Sequence, residues 1–193
     1  AIGETAARHK LGLHMDGARF ANALVHLGCA PAEMTWKAGV TALSFGATKN
    51  GAMAAEAVVF FDAAQARGFE ERRKRAAHLW SKQRFMSAQI AAYLEDDLWL
   101  RNARHANWVA QILAEGLPAL PGVRLLHPVQ ANEVFAVLPE GMVAALEEEG
   151  FGFYRWPTRL GAGEVVIRLV TSYASKPEGA EALVAAAGRF GNR

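Results

Sequence analysis

The stretch HMDGARFANALVHLG, residues 14–28, decides the fold of this chain. Residues 11–15, which overlap the start of this stretch, have the pattern of a β-strand. Apolar residues then recur at helical spacing over residues 20–27, and Gly28 marks the end of the predicted helix. A strand that leads directly into a helix is the repeating unit of an α/β fold. We therefore predict that Asp16 lies at the carboxyl edge of a sheet, which is where open α/β sheets bind ligands.

The sequence on either side extends this pattern. Residues 41–45 and 57–61 predict two more strands, with a short helix near Ala32, and this alternation is typical of a mostly parallel sheet with crossover helices. Residues 63–117 predict long helices. The apolar side chains expected at buried positions on them are Trp80, Phe85, Met86, Ile90, Tyr93 and Leu94.

A smaller second domain is predicted after the helical region. The segment 118–122 contains Pro and Gly, which interrupt regular structure. Strands are predicted at 123–126, 133–138 and 165–170, and helices at 142–149 and 177–190. We expect residues 1–100 to form part of a large domain with connecting helices, and residues 101–193 to form a small α+β domain.

The composition narrows the class of protein. Of 193 residues, 52% are hydrophobic and 21% charged, which is enough apolar sequence to form a core. The net charge of +2 argues against a nucleic-acid-binding surface, and the single Cys29 argues against a disulfide framework. No apolar run approaches the roughly 18 residues of a membrane span. We expect a soluble cytoplasmic protein, and because the chain begins at Ala1 we expect that sequence precedes it.

Asp16 has three possible roles at the predicted sheet edge. It could cap the following helix by accepting backbone N–H bonds. It could bind a metal ion together with His14, although no third ligand is evident nearby. It could also face the ring nitrogen of pyridoxal phosphate (PLP), because a carboxylate there keeps the nitrogen protonated and makes the ring an electron sink.

The second chemically suggestive segment is SFGATKNG, residues 44–51. It differs from a nucleotide-binding P-loop, because Thr48 precedes Lys49 instead of following it. A lysine in a loop is usually solvated. The apolar residues before Lys49 and the small residues after it instead predict a tight, partly buried position, where a neutral amine or an imine is favoured over an ammonium.

Together these motifs resemble one family. HMDGARFANAL and SFGATKNGAMAAEA are similar to segments of the low-specificity L-threonine aldolase and phenylserine aldolase group, which are β-eliminating-lyase-like PLP enzymes of fold type I. Lys49 lies 33 positions after Asp16, and the similarity continues through Arg168. The resemblance covers the C-terminal part of a family member. It implies an α/β fold of the PLP-dependent transferase, aspartate aminotransferase-like type.

The resemblance also implies roles for individual residues. Lys49 would form the Schiff base with PLP, and Asp16 would hold the pyridine nitrogen. Arg19 would lie beside the cofactor and help to bind the substrate carboxylate. Arg168 would bind that carboxylate, and Arg84 would contact the PLP phosphate.

The residues themselves support the assignment of Arg168 and leave that of Arg84 open. In the predicted strand 165–170, alternation places Arg168 on the face opposite Ile167 and Leu169, and a guanidinium among apolar residues requires an anionic partner. The alternative is an arginine on an edge strand, exposed to water. Arg84 fits an ordinary exposed helix position equally well.

The activity implied by the resemblance is retro-aldol cleavage of β-hydroxy-α-amino acids such as threonine, allo-threonine or phenylserine. The products are glycine and an aldehyde. Two alternatives remain at this point: another fold-type-I PLP enzyme, such as an aminotransferase or β-eliminating lyase, and a catalytically silent C-terminal fragment that acts as an assembly module. The resemblance implies a homo-oligomer, a dimer or tetramer, or association with a preceding N-terminal segment that carries the phosphate-binding residues.

Overall fold

The computed structural model describes residues 1–158 and 160–191, and the chain divides into two units, Ala1–Asn102 and Ala103–Arg193. The α-helices of the described residues are α1 (Ile2–Arg8), α2 (Phe20–Leu27), α3 (Pro31–Met34), α4 (Phe69–Arg75), α5 (Arg84–Leu94), α6 (Leu98–Gly116), α7 (Glu140–Glu148) and α8 (Pro177–Gly191). The strands are β1 (His14–Gly17), β2 (Ala42–Gly46), β3 (Glu56–Phe60), β4 (Arg124–Leu125), β5 (Glu133–Pro139), β6 (Tyr154–Trp156) and β7 (Glu164–Val170).

The first unit contains a three-stranded sheet in the order β1-β2-β3. Strands β1 and β2 are parallel, with Asp16 opposite Ser44, whereas β3 runs antiparallel to β2. The predicted strand–helix unit is confirmed, and α2 ends at Gly28, whose φ of 63° is in the left-handed region that favours glycine. Strand β1 begins at His14, later than predicted, and α1 was not predicted.

The core of the first unit is an aromatic cluster. Phe20 from α2, Phe45 from β2, and Tyr93 and Trp99 from the helical region have ring centroids 5.9 to 6.4 Å apart. All four side chains are at most 9% exposed. Such contacts stabilise the fold by more than the burial of apolar area alone, because aromatic rings attract one another edge to face.

The predicted burial of the helical region is largely wrong. Tyr93 is buried as expected, but Trp80, Phe85 and Leu94 are 45 to 53% exposed. For Trp80 the physical reason is that residues 63–94 do not form one helix. A 3₁₀ turn, α4 and α5 follow each other with breaks between them, and each break resets the helical phase. Phe85 and Leu94 lie on α5 itself, where Tyr93 is the buried residue, so most of this helix is not covered by the rest of the unit.

The second unit is a four-stranded antiparallel sheet in the order β4-β5-β7-β6, packed with helices. Side chains from β5, β7, α7 and α8 form its core with the part of α6 that follows Asn102. The predicted strands and helices are present, whereas β6 was not predicted. That strand is only three residues long and its side chains are all exposed, so it carries no apolar alternation.

Gly116 at the end of α6 provides a stability test of this core. A Cβ at Gly116 would lie 2.8 Å from both methyl groups of Val184 on α8. We expect Gly116→Ala to lower the free energy of unfolding by about 1 kcal/mol, because overpacking outweighs the gain in helix propensity. Thermal unfolding measures this, and Val184→Ala added to Gly116→Ala should recover part of the loss. A higher melting temperature for the single variant would contradict the close contact.

Candidate active site

The first part of the site is the turn that follows β1. Asp16 is exposed, and its Oδ1 accepts a hydrogen bond from the backbone N–H of Ala18 at 3.0 Å. Arg19, half-buried, is the residue immediately before α2. Asp16 therefore closes a turn between strand and helix and does not cap the helix itself. Its carboxylate is held at the sheet edge with one oxygen engaged.

Polar side chains share the face of the sheet on which Asp16 lies. His14 and Asp16 are two residues apart on β1 and therefore point the same way. Nε2 of His14 lies 2.8 Å from Oγ of Ser44, the residue that pairs with Asp16 in register. On the other face, Leu43 and Phe45 are buried. One face of β1 and β2 is thus apolar and packed, and the other carries a hydroxyl, an imidazole and a carboxylate.

Lys49 lies at the same edge of the sheet as Asp16. Because β1 and β2 are parallel, their carboxyl ends meet at one edge, and Lys49 follows the end of β2 by three residues. The two ends approach closely, since a Cβ on Gly46 would lie 2.9 Å from Cα of Ala18. A larger residue than glycine at this position would push the Asp16 turn away from the lysine segment.

The predicted burial of Lys49 is wrong, because the side chain is exposed. Residues Thr48–Asn50 form a 3₁₀ turn, in which neighbouring side chains point in different directions. Ala47 and Asn50 occupy the buried positions, 0% and 3% exposed. The small and apolar neighbours of Lys49 therefore pack the turn itself and present the lysine outward.

The turn is fixed on its N-terminal side by hydrogen bonds. The Thr48 hydroxyl accepts from the N–H of Ala55 at 3.1 Å, and the N–H of Thr48 donates to Oε1 of Glu56 at 3.3 Å. Beyond the turn, Oε1 of Gln89 on α5 accepts from the N–H groups of Met53 and Ala54. The segment carrying Lys49 is therefore held in place by contacts with two other elements.

Arg84 is the exposed first residue of α5. Its guanidinium carbon lies 5.0 Å from the ring centroid of the adjacent Phe85. These contacts fit the expected alternative of an ordinary exposed helix position. A contact between Arg84 and a phosphate stays a prediction.

Arg168 lies in the second unit on β7, an interior strand between β5 and β6. The alternative of an edge-strand arginine in water is therefore wrong, and its side chain is 22% exposed. Nε donates to Oε1 of Glu133 at 2.7 Å, and Nη2 donates to the same oxygen. The guanidinium carbon also lies 5.5 Å from the ring centroid of Trp156. The expected anionic partner in this structure is thus Glu133, a residue that was not predicted.

Arg168 also lines an open cleft of about 540 Å³ in the second unit. Thr171, Ser175 and Lys176 contribute polar groups to the cleft, and α6 and α8 contribute apolar ones. Among residues 1–158 and 160–191, no group of three or more His, Cys, Asp or Glu side chains could hold a metal ion. No helix in these ranges is long and apolar enough to cross a membrane.

Comparisons with known proteins agree with the fold and the motifs. The family model for beta-eliminating lyases matches residues 1–140. Low specificity L-threonine aldolases from a Pseudomonas species and from Pseudomonas aeruginosa are 49% and 50% identical over 163 residues. Those matches cover 84% of this chain and 46% of each relative, so the chain spans about half the length of the curated relatives it matches.

Solved structures match nearly the whole chain. The threonine aldolase of Leishmania major superposes with a TM-score of 0.89 at 29% identity, covering 98% of this chain and 54% of that one. The serine palmitoyltransferase of Sphingomonas wittichii, at 14% identity and a TM-score of 0.65, covers 98% of this chain and 49% of its own, and shares the fold alone. The predicted fold class, a portion of the fold-type-I architecture, is confirmed.

Proposed function

Because this chain belongs to the beta-eliminating lyase family, we propose that it carries the lysine and substrate-binding residues of a PLP-dependent aldolase. The resemblance to threonine aldolases seen in its motifs is confirmed by relatives at about half identity. The proposed reaction is cleavage of β-hydroxy-α-amino acids, such as threonine, allo-threonine or phenylserine, to glycine and an aldehyde. The observation that carries the proposal is the parallel pairing of β1 with β2, which brings Asp16 and Lys49 to one sheet edge.

The residues at this edge fit the chemistry of PLP. A primary amine that binds an aldehyde must be accessible, and Lys49 is exposed. A pyridine nitrogen requires a fixed carboxylate to stay protonated, and the bond from Ala18 fixes that of Asp16. When bound, PLP supplies the electron-accepting ring that makes cleavage of a Cα–Cβ bond possible. We propose that Asp16 keeps the ring nitrogen protonated. Arg19, which follows Asp16 in the chain, is proposed to face the cofactor.

Substrate binding is assigned to arginine. The guanidinium of Arg168 carries N–H donors on several sides. Glu133 accepts hydrogen bonds on the side that contains Nε, and donors on another side remain for a second acceptor. A planar carboxylate matches the geometry of another pair of donors. We assign Arg168, together with Arg19, to the carboxylate of the amino acid. Holding that carboxylate fixes the orientation of the substrate and thereby selects which bond at Cα is broken.

The test of the proposal is covalent trapping combined with product analysis. We expect the full-length natural protein with PLP to show a visible absorbance band that borohydride abolishes, and mass spectrometry to locate the reduced adduct on Lys49. With threonine, equal amounts of glycine and acetaldehyde are expected. Oxo-acid products would indicate an aminotransferase instead. The lack of any adduct would indicate a catalytically silent assembly module, and an adduct on another lysine would reject the assignment of Lys49.

A further inference from the structure

Asn50, the residue after Lys49, makes hydrogen bonds that the proposed chemistry does not use. Its side chain is 3% exposed. Nδ2 donates to the phenol oxygen of Tyr93 at 2.6 Å and to the backbone carbonyl of Trp99 at 2.8 Å. The backbone carbonyl of Asn50 accepts from Nδ2 of Asn102 at 2.8 Å. The end of the turn is therefore joined to α5 and α6 by three buried or part-buried bonds.

The orientation of the Asn50 amide is fixed by its partners. A backbone carbonyl can only accept, so the group that faces Trp99 must be the NH₂. Both hydrogens of that group are then used, one on Trp99 and one on Tyr93. Rotating the amide would place two acceptors against each other in a buried site, which is costly. The side chain thus has one favourable arrangement.

The chemistry of Tyr93 supports this arrangement. Burial raises the pKa of the Tyr93 phenol above its ordinary value, and the hydrogen bond from Asn50 opposes this effect only in part. The phenol therefore stays neutral at physiological pH, with its oxygen available to accept from Asn50. Tyr93 is also packed against Phe45 and Trp99, so Asn50 is anchored to the buried aromatic core of the first unit.

We propose that Asn50 is a positioning residue for Lys49. Lys49 itself is exposed, so its direction depends on how the backbone of the turn is held. Thr48 holds the turn on one side through Ala55, and Asn50 holds it on the other through Tyr93 and Trp99. The inference rests on the proposed function, because the anchoring serves to hold the Lys49 amine at a fixed position relative to the cofactor.

Two variants test the proposal in the full-length natural protein. Asn50→Asp keeps the shape of the side chain but replaces the NH₂ with an oxygen that cannot donate to Trp99 when ionised. Tyr93→Phe removes only the phenol oxygen and leaves the bond to Trp99. The matched control is Thr35→Val, since Thr35 is also 3% exposed and its hydroxyl donates to the carbonyl of Pro31 at 2.7 Å. It removes a part-buried hydrogen bond elsewhere in the first unit.

The first measurement needs no cofactor. The N–H groups of Asn50 and Ala52 both donate to the carbonyl of Ala47, at 3.0 and 3.1 Å, so hydrogen exchange of residues 47–52 reports on the turn. We expect Asn50→Asp to speed this exchange about 10-fold or more, Tyr93→Phe to speed it less, and Thr35→Val to leave it unchanged.

The second measurement is kinetic. In the PLP-loaded protein, Asn50→Asp should lower kcat about 10- to 100-fold, because a shift of about 1 Å in a reacting group has that effect. KM should change little, since no substrate contact is removed, and the control should keep its kcat. A fall in kcat without faster exchange at 47–52, or faster exchange without a fall in kcat, would overturn the inference. If Asn50→Asp does not fold, the same two measurements, hydrogen exchange at 47–52 and kcat, test the inference on Tyr93→Phe.

The outcomes separate this inference from the proposed function. If the unsubstituted protein forms no borohydride-sensitive adduct on Lys49, the proposed function fails, and positioning of Lys49 for the cofactor fails with it. If the adduct forms and threonine is cleaved, but both variants match the unsubstituted protein in exchange and kcat, the function stands and Asn50 is only a core residue.

Discussion

Lys49→Ala is expected to abolish threonine cleavage, with kcat falling at least about 1,000-fold, because the side chain that carries the cofactor covalently is lost. The visible absorbance band of the PLP-loaded protein should disappear in the same variant. Because Lys49 is exposed, the melting temperature of the cofactor-free protein should remain close to that of the unsubstituted protein. The measurements are steady-state kinetics, an absorbance spectrum and thermal unfolding.

The matched control for this prediction is Lys82→Ala. Lys82 is also exposed and belongs to the same unit, but it precedes α5 and is not part of β1, β2 or the turns that follow those strands. The control should keep both the absorbance band and normal turnover. Normal turnover by Lys49→Ala would reject Lys49 as the cofactor lysine. A fall in melting temperature equal to that of a core substitution would show instead that the loss of activity reflects unfolding.

The sequence predicted the strand–helix elements that place Asp16 and Lys49. Gly28 marked the end of α2 because its left-handed φ suits glycine, and period-two alternation assigned Arg168 to the face opposite Ile167 and Leu169. Such features are local. They depend on a few consecutive residues and on the backbone conformations that those residues prefer, so one sequence is enough to find them.

The features that sequence reasoning missed depend on contacts between distant segments. Lys49 was expected to be buried because its neighbours are small or apolar. Those neighbours instead occupy the buried positions at the 3₁₀ turn, and the lysine side chain is exposed. Asn50 is buried against Tyr93, 43 positions away, and no local pattern connects the two. A polar residue beside a candidate lysine was visible in the sequence. Its partner could be found only from the packing of α5 onto the turn.

The pairing of Arg168 with Glu133 was missed for a related reason. Glu133 lies on β5 and pairs with Val170, while Arg168 pairs with Phe135, so the two charges are diagonal neighbours across the strands. Once the register of β5 and β7 is known, this contact follows directly. Strand order and register are set by the packing of the whole second unit, and a strand prediction alone does not contain them.

Arg168→Lys is expected to raise KM for threonine about 30- to 100-fold while the absorbance band of the cofactor remains. Lysine keeps the positive charge but lacks the planar donor fork that matches a carboxylate, and a lost charge-assisted bidentate contact is worth about 2 to 3 kcal/mol. Arg168→Ala should raise KM further, because the charge is lost as well. Steady-state kinetics over a wide threonine range and the absorbance spectrum together measure the effect.

The outcome distinguishes three roles for Arg168. If it binds the substrate carboxylate, KM rises and PLP content stays constant. If it binds the cofactor instead, both variants lose the absorbance band, and the substrate assignment is wrong. If its role is only to pair with Glu133 on β5, then Glu133→Gln should reproduce the effect of Arg168→Ala on both KM and melting temperature. We expect it not to do so, because Glu133→Gln leaves in place the guanidinium donors that are proposed to bind the substrate carboxylate.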